Sequence, residues 1–275
     1  MEYPLTSPEG LLVVPETPRC AVLVLAGSSG RIEADRVRVL AAQGAAAMSI
    51  RWFGDVGQPA GIDRVPLETF APALDRLASL SEHLAVVGTS RGAEAALLLS
   101  VRDARIRAVA GLSPSSVVWA NVGPGADGVH RSAWSEKGIS LPFVPYDDEW
   151  VPVSTGGQPV YRGLYEQSLR TFGDRVDKAR IPVEHITARV LLTAGGDDLL
   201  WPADRFAAEI SERRAAHGLA TEVHTHADAG HRIRFPGEPA SPGGGMALAR
   251  GGTPEADAEF GRQVWPALLD LLLLR

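Results

Sequence analysis

The residue with the clearest chemical signature is Ser90, which lies in the pentapeptide Gly-Thr-Ser-Arg-Gly at positions 88–92. An apolar run, Leu84–Val87, precedes the pentapeptide, and a helix-like segment of alanines and leucines follows it. A G-x-S-x-G sequence between a strand and a helix is typical of a sharp turn that exposes the serine hydroxyl. The first N–H groups of the helix and its dipole favour negative charge there. We interpret Ser90 as a nucleophile; the alternative is a tight turn that happens to contain serine.

A possible base and acid follow Ser90 in the order Asp then His, which is the chain order expected for a nucleophile of this kind. Asp197 and Asp198 follow one strand-like run, and His231 follows another. Both positions lie just past the carboxyl end of a predicted strand, where open α/β sheets bind their ligands. His231 would take the proton of Ser90, and Asp198 would hold the imidazole in the required tautomer. Asp198 is favoured because its spacing to the next helix is Asp-x-x-x-Pro, whereas Asp197 is expected to cap the turn.

A loop of two serines between two glycines, at positions 27–30, follows the first strongly apolar strand. The loop lacks the Lys-Ser/Thr of a P-loop and the full G-x-G-x-x-G pattern, so nucleotide binding is not indicated. A loop in this place can supply one backbone N–H of an oxyanion hole, and the residue after the nucleophile supplies the other. We assign these donors to Ser28 or Ser29 and to Arg91. The Arg91 side chain is expected on the solvated helix surface, with contact to an anionic substrate group as the alternative.

These residues must be positioned by the elements around them, and strands and helices alternate along most of the chain. The alternation predicts an α/β fold, a mostly parallel central sheet with helices on both faces, in one domain over residues 1–275. We expect strands over 11–14 (an edge strand), 21–26, 46–51, 84–87, 106–112, 189–194 and 221–226, and helices over 33–43, 67–80, 93–99 and 268–275.

The alternation stops between about residues 114 and 182, a segment rich in aromatic residues, proline and glycine. A structureless loop of this length is uncommon in a compact domain, and the aromatic content argues against disorder. We therefore predict an inserted cap over the site. Its aromatic side chains are expected to bind the substrate: Trp119, Trp134, Phe143 and Tyr146.

The composition argues against several classes of protein. The chain has 275 residues, 45% of them hydrophobic, a net charge of −6 and no basic cluster, so nucleic acid is not an expected partner. The histidines show no metal-ligand spacing and there is one cysteine, so we predict no metal, no cofactor and no internal disulfide. The first residues do not resemble a signal peptide, and no apolar run is long enough to span a bilayer. We therefore expect a cytoplasmic protein without a membrane partner; the sequence leaves its oligomeric state open.

Eight stretches make the chain similar to one known family. The sequence resembles the catalytic domain of the bile-acid-CoA:amino-acid N-acyltransferase and acyl-CoA thioester hydrolase family, within the dienelactone-hydrolase-like α/β-hydrolase superfamily. The stretches are 26–30, 65–70, 86–94, 114–119, 141–146, 181–186, 195–202 and 229–231. The resemblance implies an α/β-hydrolase fold, with Ser90 as nucleophile, Asp198 as acid, His231 as base and a structural place for His185. Animal members carry a β-sandwich domain before the catalytic one, and we expect no such domain here.

The resemblance also implies the reaction: cleavage of an acyl thioester, an acyl-CoA or acyl-carrier conjugate, through an acyl-Ser90 intermediate. The amino-acid-conjugating members use cysteine, so a serine favours water as the acceptor. Carboxylester or lactone hydrolysis and acyl transfer to an alcohol or amine are alternatives with the same three residues, and a non-catalytic binding protein is a third reading. If the substrate is an acyl-CoA, three basic residues are candidates to bind its phosphates: Arg131, Lys137 and Arg162.

Overall fold

The computed structural model describes residues 1–123, 127–240 and 248–274. At its centre is an eight-stranded sheet in the order β1-β2-β4-β3-β5-β6-β7-β8. The strands are β1 (Glu2–Thr6), β2 (Glu9–Val13), β3 (Cys20–Leu25), β4 (Ala45–Ile50), β5 (Leu84–Thr89), β6 (Ile106–Leu112), β7 (Arg189–Gly195) and β8 (Glu222–His226). The pairs β1–β2 and β2–β4 are antiparallel, and the other five are parallel. The prediction of a mostly parallel sheet is thus confirmed.

Helices cover both faces of this sheet. They are α1 (Ala34–Ala42), α2 (Ala71–Ala78), α3 (Arg91–Arg102), α4 (Arg162–Thr171), α5 (Gly173–Ala179), α6 (Ala203–Ala215) and α7 (Pro254–Leu271). Side chains alternate across each strand, so Val22 and Val24 of β3 face α1 and α7, whereas Leu23 and Leu25 face α2, α3 and α6. None of the helices in the described ranges is long and apolar enough to cross a membrane.

Two predicted elements differ from the structure. The strand expected over residues 11–14 is β2, which pairs on both sides and is therefore not the edge strand. The edge is β1, whose side chains are mostly exposed, so no apolar alternation indicates it. The helix expected over 67–80 begins as a 3₁₀ turn, Leu67–Phe70, and α2 starts afterwards because Pro72 suits the first turn of a helix.

The segment from 114 to 182 contains short elements in the residues that the structure describes. They are the strands Trp134–Glu136 and Ile139–Ser140, the hairpin of Val153–Thr155 with Gln158–Val160, and the helices α4 and α5. The segment also contributes Trp119, Trp134 and Val144 to the same hydrophobic core as the sheet. The buried side chains of this segment therefore pack in one core with side chains of the sheet.

Candidate active site

Ser90 lies in the turn between β5 and α3. Its backbone has φ 57° and ψ −120°, a left-handed conformation that is unusual for a residue with a side chain. The Ser90 N–H donates to the carbonyl of Leu112 at the end of β6, at 2.8 Å, which helps to hold this strained backbone. Strain of this kind persists only where the surroundings impose it, and it is concentrated at functional sites.

The two glycines that flank this turn are required by close backbone contacts. A Cβ atom on Gly88 would lie 2.0 Å from the carbonyl oxygen of Gly92. A Cβ atom on Gly92 would lie 2.4 Å from the carbonyl oxygen of Ala26, at the end of β3. Real Cβ atoms do not come this close to backbone, so only glycine lets α3 begin directly against β3 and β5.

His231 and Asp198 form a buried pair. The Nδ1 atom of His231 lies 2.7 Å from Oδ2 of Asp198, and the two side chains are 5% and 0% exposed. The other carboxylate oxygen of Asp198 accepts the N–H groups of Leu200 and Trp201 at 2.8 and 3.2 Å. An ionised carboxylate is an acceptor only, so Nδ1–H of His231 donates the hydrogen bond to Asp198, which leaves Nε2 of His231 as an acceptor.

Asp197, the competing aspartate, has a different role in the structure. Its Oδ2 atom accepts the N–H of Gly252 at 2.7 Å. The Asp197 side chain therefore holds a backbone turn, while the neighbouring Asp198 is the one that contacts His231. This agrees with the order of preference that the spacing indicates.

Ser90 and His231 line the same small cavity, of about 60 Å³, together with the serine loop that includes Ser28 and Ser29. No hydrogen bond joins Ser90 to His231 among the described residues. Such bonds are often long in the absence of substrate and shorten in the reactive complex. The structure thus brings the predicted nucleophile and base to one cavity and pairs the base with the predicted acid.

Of the predicted oxyanion donors, Ser28 and Ser29 line this cavity, and Arg91 directly follows Ser90. Across the described ranges, no backbone hydrogen bond uses the N–H of Ser28, Ser29 or Arg91. Arg91 is the first residue of α3, and the first N–H groups of a helix have no acceptor within the helix. The loop and the helix start can therefore offer N–H donors to a developing oxyanion.

The expectation for the Arg91 side chain is wrong, because it is buried and not solvated. Its guanidinium donates to Glu94 at 2.8 Å, to the carbonyl of Ala120 at 3.1 Å, and to the hydroxyl of Tyr146. Arg91 is 2% exposed and Glu94 is 0% exposed. Burial raises the pKa of Glu94, and the charge of Arg91 acts against that rise. The pair is thus part of a buried network next to the Ser90 turn.

The four aromatic residues expected to bind substrate do not line the Ser90 cavity. Trp119 and Trp134 are fully buried, and Phe143 and Tyr146 pack against the same core. Trp134 and Trp119 can be buried because their indole N–H groups have acceptors inside the protein. Trp134 donates to Glu94 at 2.8 Å, and Trp119 donates to a serine hydroxyl at 2.9 Å. Their burial corrects the expectation for Trp119 and Trp134, whereas Phe143 and Tyr146 are half-buried and their contact with substrate stays a prediction.

The three basic residues suggested for phosphate binding also lie away from this cavity. Arg131 pairs with two aspartates and Arg162 with Glu166 and Asp204, while Lys137 is exposed on a turn.

The cavity is lined by other arginines, which sequence reasoning missed: Arg31, Arg232 and Arg250. A signal for two of them exists in the sequence. Arg31 directly follows the serine loop, and Arg232 directly follows His231.

The strand order, the helices on both faces and the serine turn after β5 are those of an α/β-hydrolase. Residues 65–273 match the family described as BAAT / Acyl-CoA thioester hydrolase C terminal. Because this match covers most of the chain, the protein belongs to that family, as the eight stretches imply.

Two relatives show how similar the chain is to other proteins. It is 25% identical over 278 residues to acyl-coenzyme A thioesterase 1 of Mus musculus, covering 94% of this chain and 60% of the relative. It is 27% identical over 274 residues to the mitochondrial acyl-coenzyme A thioesterase 2 of Mus musculus, covering 94% and 56%. The chain thus spans less than two thirds of the length of either relative.

Two solved structures confirm the α/β-hydrolase fold. A putative dienelactone hydrolase from Klebsiella pneumoniae is similar with a TM-score of 0.54 and 15% identity, covering 96% of this chain and 92% of the other. A dienelactone hydrolase-like promiscuous phosphotriesterase from metagenomic libraries has a TM-score of 0.56 and 17% identity, covering 96% and 91%. At these identities the similarity establishes the fold alone.

Proposed function

We propose that this chain hydrolyses acyl thioesters of the acyl-CoA class through an acyl-Ser90 intermediate. The observation that carries the proposal is the buried His231–Asp198 pair, whose histidine lines the same cavity as Ser90. The family is named for acyl-CoA thioester hydrolysis, and two relatives are named acyl-coenzyme A thioesterases, which supports the substrate class.

In the first half of the reaction, Oγ of Ser90 attacks the thioester carbonyl carbon while Nε2 of His231 takes the hydroxyl proton. Asp198 holds the Nδ1–H and stabilises the imidazolium that forms. The tetrahedral oxyanion accepts hydrogen bonds from the N–H of Arg91 and of Ser28 or Ser29, and one such donor is worth about 3 kcal/mol of barrier. The C–S bond then breaks, and the thiolate leaves and takes the proton from His231.

In the second half, water replaces the thiol. Nε2 of His231 takes a proton from water, and the hydroxide attacks the acyl-Ser90 carbonyl. The second tetrahedral intermediate breaks the C–Oγ bond, Ser90 recovers the proton from His231, and the carboxylic acid leaves. Thiolate is a good leaving group, so the main work of His231 is to activate Ser90 and then water.

The first test is thiol release from acyl-CoAs of several chain lengths, beside matched p-nitrophenyl esters, for wild type and Ser90→Ala. We expect Ser90→Ala to lower kcat by about 10⁴- to 10⁶-fold, because the nucleophile, base and acid act as a unit. The protein's own thiol does not disturb the assay, since burial raises the pKa of Cys20 to about 12.

The matched control for this test is Ser79→Ala, which removes an exposed serine hydroxyl at the end of α2. It is expected to keep wild-type turnover. Ser90→Ala that retains more than a tenth of the activity would contradict the proposal. If the protein cleaves the esters but not the CoA thioesters, the proposed roles of Ser90, Asp198 and His231 would stand. The substrate class would then change to carboxylesters or lactones.

A second test compares the two adjacent aspartates. Asp198→Asn should lower kcat by about 10⁴-fold, because an amide at this position favours the wrong histidine tautomer. Asp197→Asn should cost far less activity, because Asp197 accepts the backbone N–H of Gly252 and does not contact His231. Steady-state kinetics of both variants, with circular dichroism to check folding, measures the difference. Equal losses in the two variants would rule out the assignment of Asp198.

A further inference from the structure

A second cavity, of about 400 Å³, adjoins the Ser90 cavity. The two cavities share Arg31, Glu33, Arg232 and Arg250 in their walls. The Ser90 cavity, at about 60 Å³, holds only a few water-sized groups, whereas the second has the size of a small-molecule site. A substrate with its carbonyl at Ser90 therefore has room to extend into the second cavity.

The wall of the second cavity is rich in arginine. Five arginines line it: Arg31, Arg36, Arg232, Arg234 and Arg250. Two of them have carboxylate partners. Arg31 donates to Glu33 at 2.8 and 3.2 Å, and Arg36 donates to Glu238 at 2.5 and 3.1 Å. The negative charges of Glu33 and Glu238 are thus already balanced by Arg31 and Arg36.

Two other acidic residues in this wall have neighbours of their own. Asp257 accepts the N–H of Gly230 at 2.9 Å. Burial raises the pKa of Asp257, and Arg234 is among the nearby charges that act against this rise. Asp35 is exposed, and its Oδ1 atom lies 3.7 Å from Nη1 of Arg38 on the same helix. None of these contacts involves Arg232 or Arg250.

Of the other three arginines, Arg234 lies near the charge of Asp257, and Arg232 and Arg250 remain without a counter-ion. Within residues 1–123, 127–240 and 248–274, neither guanidinium forms an ion pair or a side-chain hydrogen bond. Arg250 is partly buried, and its burial and the like charge of Arg31 lower its pKa. A guanidinium stays protonated in proteins, so this wall presents uncompensated positive charge to the cavity. Such charge is costly unless an anion pairs with it.

We propose that Arg232 and Arg250 form an anion-binding subsite, which holds an oxyanion group of the substrate while the thioester carbonyl lies at Ser90. The inference rests on the proposed function and specifies how that site recognises its substrate. Guanidinium groups bind phosphate and carboxylate oxygens through paired, charge-assisted hydrogen bonds. Two parts of an acyl-CoA have this chemistry: the phosphates of the leaving group and a carboxylate at the far end of the acyl chain.

The test measures kcat/KM for wild type, Arg232→Met and Arg250→Met; methionine keeps an apolar stem and removes the charge. Three thioesters separate the two sources of anion. Hexanoyl-CoA carries phosphates, hexanoyl-N-acetylcysteamine carries none, and adipoyl-N-acetylcysteamine adds a carboxylate to the acyl chain. The matched control is Arg107→Met, which removes an exposed arginine at the amino end of β6, outside both cavity walls.

If the subsite binds phosphate, both cavity variants lower the ratio of kcat/KM for hexanoyl-CoA over hexanoyl-N-acetylcysteamine by about tenfold or more. If it binds an acyl carboxylate, the ratio for adipoyl- over hexanoyl-N-acetylcysteamine falls instead. Arg107→Met should leave both ratios at the wild-type value. Ratios that are equal in wild type and in both cavity variants overturn the subsite.

Failure of the proposed function gives a different result. In that case no thioester is cleaved by the wild type, or cleavage persists in Ser90→Ala. The subsite is then tested by titration calorimetry of coenzyme A and of adipate into wild type, Arg232→Met and Arg250→Met. Binding of one probe that weakens about tenfold in both variants supports the subsite. Binding that neither substitution changes, or no binding of either probe to the wild type, overturns it.

Discussion

Two groups of arginines lie near Ser90, the Arg91 network and the cavity wall with Arg232 and Arg250, and they differ in how their charge is balanced. In the first group, Arg91 is 2% exposed and its guanidinium contacts Glu94, Tyr146 and the carbonyl of Ala120. In the second group, Arg250 shares a cavity wall with Arg31 and has no carboxylate partner in the described part of the chain. The Arg91 network is buried and paired, whereas Arg232 and Arg250 are half-buried and form no ion pair within the described ranges.

This difference indicates what each group of arginines does. A buried guanidinium that is paired with a buried carboxylate and does not line the Ser90 cavity holds structure, because a ligand does not reach it. A guanidinium without an ion-pair partner at a cavity has donors left for a ligand. Binding of an anion to these donors is favourable. We therefore propose that the Arg91 network positions the Ser90 turn and that the wall with Arg232 and Arg250 recognises the substrate. Substitutions that remove one charge at a time test both assignments.

The largest effect is expected from Glu94→Gln. This substitution removes the counter-charge of Arg91 in a fully buried place, and breaking a buried pair in this way costs about 3–5 kcal/mol of the free energy of unfolding. Urea unfolding followed by circular dichroism measures the loss. Glu259→Gln, which breaks the exposed pair with Arg262, is the matched control and should leave stability unchanged.

A double variant tests whether the loss comes from the unpaired charge. Arg91→Met combined with Glu94→Gln removes both charges, so it should lose clearly less stability than Glu94→Gln alone. A double variant that is less stable than either single one would show that the network stabilises the fold through its hydrogen bonds and not through its charge balance.

The smallest effect on stability is expected from Arg250→Met. No ion pair is lost, and the repulsion from Arg31 is relieved, so the free energy of unfolding should stay within about 0.5 kcal/mol of wild type or rise slightly. The same urea experiment measures it. A large loss would mean that Arg250 is a structural residue, and the contrast between the two groups of arginines would then disappear.

The proposed catalytic residues could be predicted from the sequence because each follows a strand in a recognisable local pattern. The apolar run before Ser90 and the glycines around it indicate a strand, a turn and a helix, and Gly88 and Gly92 do make contacts that exclude a side chain. Asp198 and His231 could be chosen in the same way from short stretches that end β7 and follow β8. Their 2.7 Å contact then depends only on parallel strands ending at the same edge of the sheet.

The arginines could not be predicted, because their roles depend on what packs against them. Arg91 and Glu94 are three residues apart on a helix, a spacing that is equally typical of a solvated surface pair. The edge strand β1 is a similar case, since its exposed side chains carry no apolar pattern.

The sequence by itself determined the alternating strands and helices that carry the site, the Ser90 turn and the candidates for base and acid, because backbone preferences and apolar periodicity act over neighbouring residues. Only the tertiary structure decided which charges are neutralised. The segment around Ala120 and Tyr146 closes over Arg91, whereas Arg232 and Arg250 line the cavity beside Ser90 with no carboxylate against them in the described residues. Charge balance is set by groups far apart in the chain, and therefore by the fold.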